Sequence, residues 1–183
     1  LWDRRFGEAP KPPLSGKREP VLASNRGLEV TPPAPRVVLP PPVRNAGWPQ
    51  AGGNPAHVMG HLAANPTLSQ AWSVDIGEGG GYRRKILAQP VVANGLVYTM
   101  DARGTVSAFT LAKGEQVWRT PTRDEHARSS NIGGGLGVGG GTVYAINGLG
   151  DVVALDAAKG SVTWRTNLGA PGRSSPTVVE GRL

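Results

Sequence analysis

The sequence predicts an all-β fold, part of a β-propeller built from four-stranded antiparallel blades, and three observations support that prediction. The composition combines 27 glycines and 17 prolines with only 5% aromatic residues, which suits short strands joined by tight turns better than helices. Turn dipeptides such as Asn94-Gly95 and Asn147-Gly148 separate short runs rich in valine, alanine, tyrosine and threonine. Finally, Trp72, Trp118 and Trp164 follow one another at intervals of 46 residues, so the chain contains an internal repeat.

The repeat is strongest between Asp101–Thr120 and Asn147–Thr166, which share nine identities in 20 aligned positions. A third copy begins with Ser175–Gly181, which follows the pattern of Gln89–Gly95. A period of ~40–50 residues with four strands in each unit is typical of a propeller. The repeat period therefore predicts the architecture as well as the strand content.

Each repeat is predicted to form one blade, and the chain to hold two blades, at about 88–120 and 134–166, with the start of a third at about 174. One blade cannot cover both of its faces, so it stacks on its neighbours around a central axis. The predicted strands are Ala88–Ala93, Leu96–Asp101, Thr105–Leu111 and Gln116–Thr120 in the first repeat, and Gly135–Gly139, Thr142–Ile146, Asp151–Asp156 and Ser161–Thr166 in the second.

Residues 1–46 differ in composition from the rest and are predicted to form an extended, proline-rich tether. Residues 1–44 contain 10 of the 17 prolines and show no hydrophobic periodicity. Proline fixes φ and cannot donate a backbone hydrogen bond, so such a segment favours a polyproline-like spacer. The propeller domain is then predicted over 47–183. Because the chain begins at Leu1 and stops within a predicted strand, it is expected to be a fragment with a signal segment lost upstream.

Charge and cysteine content exclude several classes of function. The formal net charge is +7, yet the cationic residues are spread along the chain and no aromatic side chains alternate with them as base-stacking platforms. A nucleic-acid partner is therefore not predicted. The sequence contains no cysteine, which excludes a disulfide framework or a thiolate metal site within it. No apolar run reaches the length of about 18 residues that a membrane-spanning helix requires.

A docking motif accompanies the later tryptophans. The segment Ala154–Trp164 has Ala154, Asp156, Gly160 and Trp164 at its first, third, seventh and eleventh positions, and it resembles the tryptophan-docking motif of PQQ repeats. The preceding repeat keeps the alanine, glycine and tryptophan but has Thr110 in place of the aspartate. A small alanine lets an indole lie flat, the glycine turns the chain, and the indole buries a large area between blades. The predicted blade-docking residues are Ala108, Gly114, Trp118, Ala154, Asp156, Gly160, Trp164 and Trp72.

The chain as a whole is similar to the BamB family of PQQ-repeat propellers, which are outer-membrane protein assembly factors. The similarity is carried by Leu1–Glu8 with the proline-rich segment after it, by Gly47–Pro55, by Ala88–Ala102 and by Arg128–Gly135. It implies a ring of about eight blades. It also implies a periplasmic lipoprotein, tethered to the inner leaflet of the outer membrane through an acylated cysteine upstream of Leu1.

The same resemblance implies a scaffold rather than an enzyme, without a cofactor. Family members aid insertion of β-barrel proteins by docking onto the periplasmic domains of the barrel-inserting subunit, and unfolded outer-membrane protein clients are a further expected partner. Residues 72–76 are predicted to be the strand that closes the ring onto the last blade.

Two basic loops are candidates for partner contacts, because blades hold propeller loops rigidly. One contains Arg83, Arg84 and Lys85, and the other contains Arg123 and Arg128. A solvated basic loop without a partner is the alternative interpretation of both.

No catalytic, cofactor-binding or metal-binding residue is predicted. His57 and His61 are four residues apart, as in a zinc-binding helix, but the flanking proline and glycine residues favour a loop. Gly135–Gly140 matches the dinucleotide pattern GxGxxG, yet a strand follows it instead of a helix, which predicts a glycine-rich innermost strand. The competing function is a quinoprotein dehydrogenase, which uses the same repeats to hold PQQ and calcium. A third hypothesis is the ectodomain of a membrane-tethered propeller kinase or sensor.

Overall fold

A computed structural model describes residues 15–17, 36–123 and 131–183. The chain divides into two units between Val38 and Leu39, and every described strand lies in the second unit, Leu39–Leu183. The predicted tether over 1–46 falls mostly outside the described residues, so the tether and its boundary stay predictions. Within the described ranges no helix is long and apolar enough to cross a membrane.

The described strands form two four-stranded antiparallel sheets and one short parallel pair. In chain order they are β1 (Arg84–Lys85), β2 (Val91–Ala93), β3 (Leu96–Met100), β4 (Thr105–Thr110), β5 (Gln116–Pro121), β6 (Asn131–Ile132), β7 (Gly134–Gly139), β8 (Thr142–Asn147), β9 (Asp151–Asp156) and β10 (Val162–Asn167). Strands β2 to β5 form one sheet and β7 to β10 the other, each in sequence order, while β1 pairs with β6. The predicted all-β fold with four-stranded antiparallel blades is confirmed, because sequential strand order is that of propeller blades.

Tight hairpin turns fix the register of both blades. Asn94 and Gly95 have φ values of 52° and 74°, and Gly140 and Gly141 have values of 56° and 74°. Positive φ at both central residues is the geometry of a type I′ turn, whose twist matches that of the flanking strands. The strand ends differ from the predicted ones by one residue at most, except that β2 begins three residues late. Its start follows Pro90, which has no N–H to donate to a ladder.

The two blades pack face to face on one apolar core. The middle strands β4 and β9 have four consecutive buried residues each, whereas β10 is exposed at all six positions. Burial of both faces of the middle strands is what stacking between blades requires. The core residues are Val91, Tyr98, Met100, Val106, Ala108 and Trp118 from the first blade, and Leu136, Val138, Val143, Ala145, Val153, Leu155 and Ala157 from the second.

A segment before the first blade crosses the innermost strands of both blades. Trp48 forms an antiparallel bridge with Val92 on β2, and Gln50 forms one with Gly137 on β7. Between these two bridges, Pro49 O accepts a 2.6 Å hydrogen bond from Val138 N–H on β7. Residues 48–50 are called the lead-in segment below. The lead-in segment therefore joins β2 to β7 at the inner edge of the two sheets.

Strand β7 is the glycine-rich strand and lies at the end of its sheet. Its glycines allow the start of the third repeat to approach closely. A Cβ on Gly137 would lie 2.9 Å from Pro176 O, and one on Gly139 would lie 2.6 Å from Cγ1 of Val178. Side chains at these positions would displace the third repeat, which explains why the GxGxxG pattern occurs in a strand.

Candidate functional site: docking tryptophans and connecting loops

Trp118, on β5, joins the first blade to the second. Its indole Nε1–H donates a 2.9 Å hydrogen bond to Ala157 O, which lies in the turn between β9 and β10. The ring lies against Gly160, where φ is +71° and an added Cβ would come within 2.5 Å of indole Cδ2. Only 8% of Trp118 is exposed. The indole surface is therefore buried between the two blades.

Trp72 makes the same contact one repeat earlier. Its Nε1–H donates to Leu111 O at 2.9 Å, and a Cβ on Gly114 would lie 2.6 Å from its ring. In both cases the acceptor lies 39 residues after the tryptophan, so the sequence repeat is also a repeat of one hydrogen bond. Residues 72–76 form no strand in the described part of the chain. The predicted ring-closing strand is therefore not observed, and Trp72 is anchored by its side chain.

Trp164 holds the equivalent position on β10 but is 41% exposed. Its ring lies 6.0 Å from Tyr144, much as the Trp118 ring lies 5.9 Å from Tyr98. Packing inside the blade is thus the same, while no docking turn covers Trp164 among the described residues. A mainly apolar hollow of about 300 Å³ adjoins it, lined by Ile146, Val152, Trp164, Thr166, Leu168, Pro176 and Leu183.

The predicted alanines lie between the aromatic rings. In the strand register, Ala108 on β4 pairs with Tyr98 on β3 and with Trp118 on β5. Ala154 takes the same place in the second blade. Both alanines are completely buried. A larger side chain at either position would push the two rings apart in a closely packed core.

The predicted Asp156 caps its own turn. Its Oδ1 accepts hydrogen bonds from the N–H groups of Ala158 and Lys159 at 2.9 and 2.8 Å. In the first repeat, Oγ1 of Thr110 accepts one from Glu115 N–H at 3.1 Å. Threonine therefore keeps a side-chain contact with the turn backbone, although its single oxygen bonds a different N–H.

Tyr98 also belongs to this interface, although sequence reasoning did not identify it. Its hydroxyl donates to Ala157 O at 3.3 Å, the carbonyl that Trp118 also binds. Burial raises the pKa of the Tyr98 phenol above its ordinary value of 10.0, and the negative charge of Asp156 adds to the effect. The available signal was a Val-Tyr pair that recurs 46 residues later.

Gln50 is a second interface residue that sequence reasoning missed. It is only 2% exposed, and its Oε1 accepts a 2.7 Å hydrogen bond from Val178 N–H in the third repeat. Because its backbone also bridges to β7, one residue connects the lead-in segment, the second blade and the third repeat. The two partners are 128 residues apart in sequence, so no local pattern reports the contact.

The structure places the first predicted basic loop beside the strand that follows the second one in sequence. Arg84 and Lys85 form β1, which pairs in parallel with β6, and β6 follows the second loop directly. Arg123, at the start of that second loop, is partly buried. Arg128 lies outside the described residues. The role of both loops as partner contacts stays a prediction.

Glu78 organises the first basic loop. Its carboxylate forms an ion pair with Arg84 and a second one, at 2.6 Å, with Nε of Arg103. Arg83 and Lys85 are exposed, and neither contacts a carboxylate within the described ranges. The loop therefore presents cationic groups to solvent while its own backbone is held in place.

In the described part of the chain, His57, His61 and Asp101 make structural contacts. His61 Nδ1 lies 2.7 Å from Pro40 O, and His57 Nε2 lies 3.5 Å from Oγ1 of Thr177. In the residues that the structure describes, no three histidine, aspartate or glutamate side chains converge on one point. Asp101 Oδ1 accepts hydrogen bonds from two backbone N–H groups of its own turn at 2.8 Å.

Four-stranded antiparallel blades, stacked face to face and joined by tryptophans at a fixed interval, define part of a β-propeller. Residues 102–183 match the family described as outer membrane protein assembly factor BamB. An uncharacterized protein of Rickettsia prowazekii is 33% identical over 54 residues, which are 30% of this chain and 13% of that protein.

Solved structures share the fold at low sequence identity. A quinohemoprotein alcohol dehydrogenase from Pseudomonas putida HK5 superposes with a TM-score of 0.63 at 22% identity, over 74% of this chain and 22% of the enzyme. One from Comamonas testosteroni gives 0.60 at 24% identity, over 76% and 23%. BamB from Moraxella catarrhalis gives 0.47 at 22% identity, over 60% and 31%. The chain thus spans less than a quarter of the length of the two dehydrogenases.

Proposed function

We propose that this chain is part of a non-enzymatic scaffold that assists outer-membrane protein assembly, as a BamB-like propeller. The observation that carries the proposal is the match of residues 102–183 to the BamB family. The matched segment contains the whole second blade and both partners of the Trp118 contact. In this proposal the protein is a periplasmic lipoprotein of the outer membrane, and its partners are the barrel-inserting subunit and unfolded clients.

The use of polar groups in the described blades supports a scaffold. Asp101 and Asp156 bond to the backbone of their own turns, and Asn147 does the same through Oδ1, which accepts from two N–H groups. Polar side chains that hydrogen-bond to the backbone of their own turn stabilise the shape of that turn. The charged and aromatic side chains of the connecting loops are then the groups that face other molecules.

A quinoprotein dehydrogenase is the second candidate, favoured by the superposition on two quinohemoprotein alcohol dehydrogenases. At 22 and 24% identity this likeness is one of fold, and a fold hosts many functions. No three histidine, aspartate or glutamate side chains converge among the described residues, so this candidate is tested by activity and not by the geometry of these blades.

The test is a comparison of two assays on the full-length protein. We expect it to co-purify with the barrel-inserting subunit and to fractionate with the outer membrane. We also expect no dye-linked alcohol oxidation after incubation with PQQ and calcium. Oxidation that depends on added PQQ, without co-purification, would replace the scaffold with the dehydrogenase.

A further inference from the structure

We propose that the loops at one end of the blades form a basic docking face for an acidic protein surface. This face, the connecting-loop face, comprises the described residues of 77–87, 101–104, 122–133, 147–150 and 168–174. The proposal deepens the proposed function, because it assigns the surface and the chemistry through which the scaffold holds its partner.

Backbone hydrogen bonds place these loops at the same end of the sheets. Ala102 N–H donates to Glu78 O at 3.0 Å, which joins the first loop to the β3–β4 turn. Thr122 N–H donates to Gly104 O at 3.1 Å, which joins that turn to the chain leaving β5. The second blade repeats this contact, since Leu168 N–H donates to Gly150 O at 2.9 Å.

The charge of this face is positive. In sequence, its five segments contain seven cationic side chains and four carboxylates, a net charge of +3. The charged residues that the structure describes among them are Arg83, Arg84, Lys85, Arg103, Arg123 and Arg173 with Glu78 and Asp101. The turns at the opposite end, at 94–95, 111–115, 140–141, 157–160 and 180–181, have two lysines and two glutamates in the described chain. The positive field therefore belongs to one end of the blades. Such a field steers and holds negatively charged partners.

An exposed aromatic residue lies at the centre of the most basic loop. Gly81 and Arg84 form an antiparallel bridge, with a 2.7 Å hydrogen bond from Gly81 N–H to Arg84 O. Tyr82 and Arg83 form the tip of this hairpin, and Tyr82 is 93% exposed. Tyrosine and arginine are the residues enriched at the energetic centres of protein interfaces.

Three of the arginines on this face are oriented before any partner arrives. The β1–β6 ladder fixes the backbone of Arg84 and Lys85, and Arg173 Nη1 donates to Ile132 O on β6 at 3.2 Å. The carboxylate of Glu78 orients the side chains of Arg84 and Arg103. Groups ordered in advance lose less entropy on binding.

This arrangement favours protein carboxylates over lipid headgroups. Five of the six cationic side chains on the described face are arginines, whose planar guanidinium binds a carboxylate through two parallel hydrogen bonds. Basic surfaces that bind anionic membranes are instead dense clusters of four to eight lysines and arginines. Here carboxylates are interspersed among the cations, which suits recognition of one charge pattern.

The experiment compares two charge-reversal variants of the full-length protein. Arg83→Glu/Lys85→Glu alters the connecting-loop face, and Lys113→Glu/Lys159→Glu alters the opposite end by the same net charge. All four side chains are exposed, so both variants are expected to fold, which circular dichroism checks. The probes are the purified periplasmic domains of the barrel-inserting subunit, a fluorescein-labelled deca-glutamate peptide, and vesicles containing about 30% anionic lipid, each at about 50 and about 300 mM NaCl.

We expect both protein probes to bind at low salt and to weaken at high salt. Arg83→Glu/Lys85→Glu should weaken both by about tenfold or more, and the control variant by no more than about twofold. If the periplasmic domains bind both variants equally, the docking face is wrong while the scaffold stands. If only the peptide binds, with the same difference between the variants, the face stands and the scaffold proposal fails. Vesicle binding that is lost in the first variant, without peptide binding, would assign the face to lipid and overturn the proposal.

Discussion

Removing the Trp118 indole should cost far more stability than removing the equivalent Trp164 indole, although both substitutions delete the same atoms. Trp118 is 8% exposed and Trp164 is 41% exposed, so about a third of an indole surface of about 250 Å² separates them. At ~25 cal/mol per Å² this difference is worth about 2 kcal/mol. The buried hydrogen bond from Trp118 Nε1–H to Ala157 O adds about 1 kcal/mol. Trp118→Ala should therefore destabilise the chain by about 3 kcal/mol more than Trp164→Ala.

The measurement is urea unfolding of the 183-residue chain followed by far-ultraviolet circular dichroism, which does not depend on tryptophan emission. Both indoles contact a tyrosine within their own blade at nearly equal distance, 5.9 and 6.0 Å. Trp164→Ala therefore controls for packing inside a blade. Equal losses of unfolding free energy in the two variants would show that contacts within blades, and not docking between them, account for the stability.

Three further predictions test the same interface. Gly160→Ala places a Cβ 2.5 Å from the Trp118 indole at φ +71° and should lower the free energy of unfolding by about 2–4 kcal/mol. Gly95→Ala is the control, because φ is +74° there but the added Cβ meets open space; it should cost about 1 kcal/mol. Similar unfolding midpoints of the two variants would contradict the predicted collision with the indole. Absorbance titration should show Tyr98 ionising above its ordinary pKa of 10.0, because burial raises it. The stability that the neutral phenol contributes is complete below pH 10.0 and is lost as the pH passes its folded-state pKa. Tyr98→Phe should remove this loss. Gln50→Leu leaves Val178 N–H without its acceptor at a cost of about 1–3 kcal/mol; unchanged hydrogen-exchange protection of that amide would refute the assignment.

The blades can be predicted from sequence because their signals are local or periodic. The Asn94-Gly95 turn and the short apolar runs constrain nearby backbone, and the 46-residue tryptophan interval relates each repeat to the next. Strand ends follow within one residue except at β2, where Pro90 delays the ladder. These signals agree with one another, which is the condition under which sequence specifies structure.

The hydrogen bonds between blades are less predictable, because each joins a side chain to a backbone atom or to a residue far away in sequence. A carbonyl such as Ala157 O has no signature in the side-chain pattern, although it accepts from both Trp118 and Tyr98. Gln50 contacts a residue 128 positions away, and only the folded arrangement of the innermost strands brings the two together. The β1–β6 pairing could not be predicted either, since two-residue strands carry no periodic signal.

The repeat itself separates the residues that make the fold from those that distinguish this propeller. Within the blades, nine of 20 aligned positions are identical, because each must pack on a neighbour of the same shape. Between the connections 76–87 and 122–133, aligned on the same offset, only one of 12 positions is identical. The strands are shared with proteins as different as dehydrogenases, so they cannot determine a partner. The partner recognition proposed here therefore depends on the loops, and charge reversal on those loops should change binding while leaving the tryptophan docking intact.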